Sequence, residues 1–141
     1  HTEVSLQLGT DKFYSLLQLS RRLDEASWSL GYGFGHRFPL GKKAGWSAEL
    51  LLSHLNEREA WTEELNLLFQ LRAPLEVSLG PNWALQVGPV AYWSLSRLPF
   101  GEGENRRGTQ LAPWVLWEND REKNTAQKLW AGGRIGLRYA W

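Results

Sequence analysis

The sequence predicts an all-β protein built as an antiparallel barrel, and three features of the chain support this fold class. First, large side chains occupy every even position from Trp28 to Leu40, whereas Ser, Gly, Arg and Pro occupy the odd positions. Successive side chains of a β-strand point to opposite faces, so this alternation indicates one long strand. Second, seven further stretches alternate in the same way and are separated by turn signals. Third, no segment has the apolar spacing of an amphipathic helix.

Eight strands are predicted in chain order, each with one apolar face. Pro74 lies within the fifth strand and predicts a bulge or an irregular edge. Pro113 weakens the seventh strand, in which Trp114 breaks the alternation. Pro99 to Thr109 is the one long loop, which consecutive strand order places on the same side as both chain ends, and Asn119 to Thr125 is predicted to be a charged connection. The strands begin near Glu3, Phe13, Trp28, Trp46, Trp61, Trp83, Leu111 and Leu129, and the last one ends at Trp141.

Composition narrows the class of protein. The 141 residues predict a single domain, and a net charge of +1 with interspersed signs gives no reason to expect a nucleic-acid partner. The absence of Cys excludes disulfides and thiolate chemistry. No apolar run reaches 18 residues, which excludes a transmembrane helix. Nine Trp residues are an unusual number, and Trp concentrates where an apolar surface meets water, above all at membrane interfaces.

Two architectures fit eight such strands: a soluble lipocalin-like carrier with the bulky face inside, or a transmembrane barrel with that face outside. The interior of an eight-stranded barrel is just wide enough for side chains to fill it. The large residues of Trp28 to Leu40 would overfill it, whereas the opposite faces offer glycines and charges of both signs. We therefore predict one domain over residues 1–141, a closed antiparallel up-and-down transmembrane β-barrel of about eight strands. Its predicted lumen polar network is Arg37, Glu49, Glu64, Arg72, Arg134 and Arg138.

The orientation with the bulky face outside also assigns roles to aromatic residues near the strand ends. Trp side chains at these positions would lie at the two membrane interfaces, where an amphipathic ring is most stable. The predicted membrane-interface aromatics are Trp28, Trp46, Trp61, Trp83, Trp93 and Trp141.

The last residues carry a more specific signal. Arg134-Ile-Gly136-Leu-Arg-Tyr139-Ala-Trp141 resembles the terminal insertion signal of the small eight-stranded outer-membrane β-barrel family of Gram-negative bacteria. The resemblance implies that Gly136, Tyr139 and Trp141 form this signal and that the barrel-assembly machinery inserts the chain. It also implies an outer-membrane location in contact with lipid and lipopolysaccharide, and it leaves room for a larger membrane complex as partner.

Two motifs are candidate sites. Gly31-x-Gly33-x-Gly35 resembles a phosphate loop, but no helix follows it, so a smooth lumen wall is favoured. His54, with Ser53, Asn56 and Glu64 nearby, suggests a lipid A hydrolase, in which a His, a Ser two residues later and a Glu act together. Here Asn56 takes the place of that Ser, and Ser53 points to the other strand face. We predict no catalytic residue, cofactor or metal site, and expect a structural or accessory membrane component. The hydrolase and the soluble carrier are the alternatives.

Overall fold

A computed structural model describes residues 2–21, 28–56, 66–97, 115–122 and 125–139. Every regular element in these residues is a β-strand. Each strand except β8 coincides largely with a stretch of alternating side chains, because that pattern lets one face pack inside while the other faces out. The strands are β1 Thr2–Gly9, β2 Phe13–Arg21, β3 Trp28–Pro39, β4 Ala44–Asn56, β5 Asn66–Arg72, β6 Leu75–Ser78, β7 Trp83–Arg97, β8 Val115–Glu122 and β9 Thr125–Tyr139.

All nine strands form one antiparallel sheet in the order β1-β2-β3-β4-β5-β7-β9-β8, with β6 paired to β4 and β7. Because β6 continues β5 after Ala73 and Pro74, the two form one split strand between β4 and β7, and the sheet curls so far that Glu3 Oε1 on β1 lies 3.3 Å from Arg134 Nη2 on β9. The predicted all-β antiparallel barrel is thereby confirmed. The described part of the chain contains no helix long and apolar enough to cross a membrane.

Strands β5 and β6 are two halves of the predicted fifth strand, interrupted at Ala73 and Pro74. Both halves pair with β4 in one register, as in Glu49 with Arg72 and Trp46 with Leu75, and both also pair in one register with β7. The backbone carbonyl of Pro74 accepts a hydrogen bond from the Ser47 amide at 2.9 Å. Since no residue is inserted and both sides are paired, the interruption reflects the missing N–H of proline rather than the predicted bulge or edge.

The order of the last strands differs from the predicted consecutive order. Strand β9 pairs directly with β7 along its full length, from Trp83 opposite Tyr139 to Arg97 opposite Thr125. Strand β8 lies on the other side of β9 and pairs only with its first part, as far as Trp130. The predicted up-and-down order therefore holds from β1 to β7. At the end of the chain, β9 pairs with β7, and β8 pairs with the opposite edge of β9.

The predicted charged connection Asn119 to Thr125 is mostly strand. Strand β8 continues to Glu122 and β9 begins at Thr125, which leaves residues 123–124 between them. A cross-strand ion pair at 2.8 Å between the Lys128 Nζ and Glu118 Oε1 atoms helps to hold this polar hairpin together. Opposite charges directly across a ladder stabilise strands that have little apolar surface.

The two ends of the barrel are unlike. Short turns at residues 10–12, 40–43 and 79–82 lie at one end, here called the short-turn end, together with Tyr139, which pairs with Trp83. Thr2 and Arg97 lie at the opposite end. The loop Pro99 to Thr109 lies outside the described residues, but Arg97, which precedes it, shares its end with Thr2 and not with Tyr139. Direct pairing of β9 with β7 causes this difference.

The odd-numbered glycines of β3, here called the glycine stripe, face the interior and make room for larger neighbours on both sides. Gly35 pairs with Tyr14 on β2 and Glu49 on β4, and Gly33 pairs in the same way with Leu16 and Leu51. Leu16 and Leu51 are each only 1% exposed. Because the glycine stripe has no side chains, inward side chains of β2 and β4 can extend over the inner face of β3.

Candidate functional site

Mostly polar side chains fill the interior of the barrel, together with a small buried cluster of Tyr14, Leu16 and Leu51, and apolar side chains cover its outside. Arg72 and Glu49 are each 1% exposed, although neither residue type is usually buried without a partner. Large apolar residues on the opposite faces of the same strands, such as Leu50 and Leu71, are 44% and 58% exposed. Further polar residues buried on the inner faces are Gln18, Ser20, Ser29, Ser47, Ser53, Gln70, Glu76, Gln86, Ser94, Ser96 and Lys128.

Arg72 is the centre of the interior network. Its Nη1 and Nη2 atoms donate to Oε1 and Oε2 of Glu3 at 2.9 and 3.0 Å, a bidentate pair. Nη2 also donates to Gln18 Oε1 at 2.7 Å, and both Nε and Nη2 donate to Gln70 Oε1 at 3.1 and 2.6 Å. The planar guanidinium suits this arrangement because its five N–H groups point in fixed directions.

Glu49 is held beside Arg72 by a second group of contacts. The hydroxyl of Tyr14 crosses Gly35 and donates to Glu49 Oε1 at 2.8 Å. The other carboxylate oxygen lies 3.5 Å from Arg134 Nη1 and 3.9 Å from Arg72 Nη1. Arg134 Nη2 in turn lies 3.3 Å from Glu3 Oε1. Two arginines and two glutamates thus form a neutral cluster that links β1, β4, β5 and β9.

A second cluster lies nearer the short-turn end, around Glu76. Its two oxygens accept hydrogen bonds from Arg138 at 2.6 and 2.9 Å, and Oε2 also accepts one from Gln86 at 3.1 Å. Arg37 Nη2 lies 3.6 Å from Glu76 Oε2 and donates to Gln7 Oε1 at 3.2 Å. Among the described residues, two arginines share one glutamate here, so the described part of this cluster carries an excess positive charge.

The structure brings together most of the predicted lumen network. Glu64 lies outside the described residues. Glu3, Glu76 and Tyr14 were not predicted as members, although Glu76 shares its strand parity with Arg72. This shared parity is the sequence signal from which Glu76 could have been predicted as a member. The predicted members that meet in the interior are Arg37, Glu49, Arg72, Arg134 and Arg138.

The predicted interfacial and C-terminal residues lie near the strand ends where they are described. Trp46, Trp83 and Trp93 are on the outer face, 37%, 50% and 38% exposed, and Trp28 shares that face at the start of β3. Tyr139 packs against Trp83 with ring centroids 5.0 Å apart. Gly136 lies on the inner face of β9, directly opposite Gln86 on β7. Trp61 and Trp141 lie outside the described residues.

Ser53 and His54, the candidate residues for hydrolase chemistry, do not form a catalytic dyad. Ser53 is fully buried on the inner face, beside Gly31. His54 is the next residue of β4, so its side chain points to the outer face, and its backbone pairs with Leu30 and Leu67. A nucleophile and its base must be within hydrogen-bonding distance, which adjacent strand residues do not achieve. The described residues also contain no group of His, Asp and Glu suited to a metal ion.

Fold and interior together define the class: an antiparallel β-barrel with an ion-paired, polar interior and an apolar outer surface. Comparison with protein-family models, with curated proteins and with solved structures gives no match in any of the three. What the chain does must therefore be inferred from its own surface and interior.

Proposed function

We propose that this chain is an integral outer-membrane β-barrel with a side-chain-filled lumen, acting as a structural or accessory membrane component. The observation that carries the proposal is the inverted distribution of side chains. Fully buried charges occupy the inside, while the outer faces expose large apolar residues on nearly every strand. Soluble monomers rarely expose contiguous apolar patches larger than a few hundred Å², and lipid is the surrounding in which such a surface is stable.

The vertical spacing of the outer aromatic residues supports a membrane span. Trp28 and Phe38 on β3 are ten residues apart, as are Trp83 and Trp93 on β7. Ten strand residues cover about 33 Å, or about 25 Å along the axis at the usual barrel tilt. That height matches the apolar band of outer-membrane barrels, which aromatic girdles flank at about 25 Å.

Both aromatic levels are built from packed pairs. At the short-turn end, Phe38 stacks on Trp46 with ring centroids 4.4 Å apart. Toward the other end, Phe69 stacks on Trp93 at 4.8 Å. Aromatic side chains at an interface combine an apolar body with a polar edge, so paired rings at two levels favour anchoring in both interfaces.

The ionic interior supports a structural role rather than transport. The network around Arg72 and Glu76 occupies the lumen with side chains that bind one another, and a narrow eight-stranded barrel leaves little further room. Lipid and lipopolysaccharide are then the immediate surroundings. The outer-membrane location rests on the C-terminal resemblance, through which the barrel-assembly machinery would insert the chain. Membership of a larger envelope complex would depend on the loops.

A charge placed on the outer face tests the membrane proposal. Leu50 lies midway along β4, opposite Phe34, and is 44% exposed. We expect Leu50→Arg to lower the free energy of unfolding in phospholipid vesicles by about 2–4 kcal/mol, the cost of Arg at a bilayer midplane. Denaturant titration followed by tryptophan fluorescence measures it.

The matched control is Leu79→Arg, in the turn between β6 and β7, where the same change should cost at most about 1 kcal/mol near the interface. Equal and small effects of the two substitutions would contradict the membrane proposal, because an outer face in water tolerates arginine at either height.

A further inference from the structure

The three turns at the short-turn end share one local sequence. Each is entered through a Leu-Gly pair, which is Leu8-Gly9, Leu40-Gly41 or Leu79-Gly80. Gly9 and Gly41 have φ angles of +148° and +150°, which residues with a side chain rarely adopt, so the chain reverses directly after the leucine. In the second and third turns the amide of this leucine donates a hydrogen bond across the turn, to the carbonyl of Ala44 at 2.9 Å and to that of Trp83 at 2.8 Å. The leucine is thereby held at an outward position next to the turn.

These leucines are exposed, although turns in water are usually rich in polar residues. Leu8 is 50% exposed, and Leu40 and Leu79 are each 61% exposed. The apolar outer surface therefore continues past the aromatic level of Phe38 and Trp46 into the turns. Leu40 lies two residues beyond Phe38, which is about 5 Å along the barrel axis at the usual tilt. Because each headgroup region of a bilayer is about 5–7 Å thick, a membrane-spanning barrel would hold these turns within it.

Lysines follow the leucines in two of these turns. Lys12 lies in the first turn, Lys42 and Lys43 lie in the second, and all three are exposed. The three turns contain one acidic residue, Asp11, so they carry an excess of two positive charges. A lysine side chain can lie along an apolar surface while its ammonium group reaches outward. The turns thus combine an apolar part with a cationic part.

Backbone hydrogen bonds place two of the lysines beside the stacked rings of Phe38 and Trp46. The amide of Arg37 donates to the Lys12 carbonyl at 2.7 Å, which sets Lys12 next to the residue that precedes Phe38. The Lys43 carbonyl accepts a hydrogen bond from the Ser78 amide at 2.8 Å, three residues before Trp46. The two rings are 4.4 Å apart between centroids. Cationic groups and an aromatic anchor therefore lie together on this part of the barrel.

We propose that the leucines and lysines of these turns bind anionic phospholipids. Their side chains, here called the lysine–leucine rim, are Leu8, Lys12, Leu40, Lys42, Lys43 and Leu79. The ammonium groups of the rim contact lipid phosphates, and its leucines enter the boundary between headgroups and acyl chains. The proposal rests on the proposed function and deepens it by naming the class of lipid at the short-turn end.

The charge of the rim selects the lipid. In phosphatidylcholine the phosphate charge is balanced by the ammonium group of the same headgroup, so this lipid cannot neutralise two excess cations. Phosphatidylglycerol carries a net negative charge and can do so. A lysine near an anionic lipid surface gains about fivefold in affinity, so two excess charges predict a preference of at least about tenfold for the anionic lipid. The leucines favour a lipid over a free phosphate, which would leave them in water.

Native mass spectrometry of the folded chain in neutral detergent micelles measures this preference, with equal amounts of phosphatidylglycerol and phosphatidylcholine added. We expect the unmodified chain to retain at least about tenfold more phosphatidylglycerol. Combining Lys42→Gln with Lys43→Gln removes two positive charges and should bring the ratio close to equality. Combining Lys42→Arg with Lys43→Arg keeps the charge and should keep the ratio. Near-ultraviolet circular dichroism verifies that each variant is folded.

Arg21→Gln is the control for general attraction between the chain and anionic lipid. Arg21 pairs with Thr2 at the end of the barrel opposite the rim and is exposed, so its removal should leave the ratio unchanged. Equal retention of the two lipids by the unmodified chain would overturn the proposal, as would equal losses in Arg21→Gln and the Lys-to-Gln variant. Complete displacement of the lipid by an equal concentration of glycerol phosphate would show a site for free phosphate instead.

The membrane proposal is tested separately, by quenching of tryptophan fluorescence in vesicles of brominated phosphatidylcholine. Quenching in these vesicles, together with equal retention of the two lipids in micelles, would overturn only the choice of an anionic lipid. A chain that is folded in buffer and is not quenched by any vesicle would overturn the lysine–leucine rim and the membrane proposal together.

Discussion

Replacing Arg72 by Met is expected to lower the free energy of unfolding by about 3–5 kcal/mol, the usual cost of removing one partner from a buried ion pair. Arg72 is 1% exposed and supplies the hydrogen bonds that neutralise Glu3 and satisfy Gln18 and Gln70. Met has a similar length but no donors, so the Glu3 carboxylate would remain inside without its bidentate partner. Urea unfolding in micelles, followed by tryptophan fluorescence, measures the loss.

Two further variants separate loss of the ion pair from loss of an arginine. Arg21→Met, at the exposed end of β2, should change stability by less than about 0.5 kcal/mol, as surface substitutions usually do. Adding Glu3→Gln to Arg72→Met should recover part of the loss, because the uncompensated charge is then removed. If the double variant were less stable than Arg72→Met by the full effect of Glu3→Gln, the two residues would not be coupled.

Gly33→Trp is expected to prevent the barrel from forming. A Cβ atom at Gly33 would already overlap the backbone carbonyl of Leu50, and it would lie 2.7 Å from the Leu51 side chain. Both neighbours belong to β4, whose ladder with β3 leaves no room to move apart. Overpacking in a filled interior costs about 1–3 kcal/mol for a few methylenes, and an indole group is far larger. The fraction of chain that refolds into micelles, read by near-ultraviolet circular dichroism, measures the effect.

The matched control is Gly133→Trp on the outer face of β9. A Cβ atom there meets nothing within 4 Å, and the backbone of Gly133 requires no positive φ. This variant should refold with the yield of the unmodified chain. Normal refolding of Gly33→Trp would mean that the glycine face of β3 is not the crowded one. The assignment of that face to the interior of the barrel would then be wrong.

Strand periodicity predicted much of the fold because it is a local property of the chain. The alternation in Trp28 to Leu40 defines a strand and its two faces without reference to any other residue. The order of the last strands could not be obtained in this way. Alternation states which face a residue occupies and contains no information on which strand lies beside it, so the direct pairing of β9 with β7 required the three-dimensional structure. The effect of Pro74 was missed for a related reason, since its partners on both sides keep their register.

Face parity predicted part of the membership of the interior network and none of its pairing. Face parity placed Arg37, Glu49 and Arg72 on one side of their strands. The pairing of Arg72 with Glu3 joins residues 69 positions apart, and it depends on the curvature that brings β1 across the lumen to β5. The contact of Tyr14 with Glu49 depends on the glycine between them, Gly35, which only the register of β2, β3 and β4 reveals.

Quenching of tryptophan fluorescence by brominated lipids tests the membrane proposal most directly. Trp46, Trp83 and Trp93 lie on the outer face near the strand ends, so we expect strong quenching when the chain is refolded into vesicles. Bromines near the glycerol end of the acyl chains should quench more than bromines near the bilayer centre. Fluorescence unchanged by bromine at either depth, with the chain folded and monomeric in the surrounding buffer, would contradict an outer face that contacts lipid.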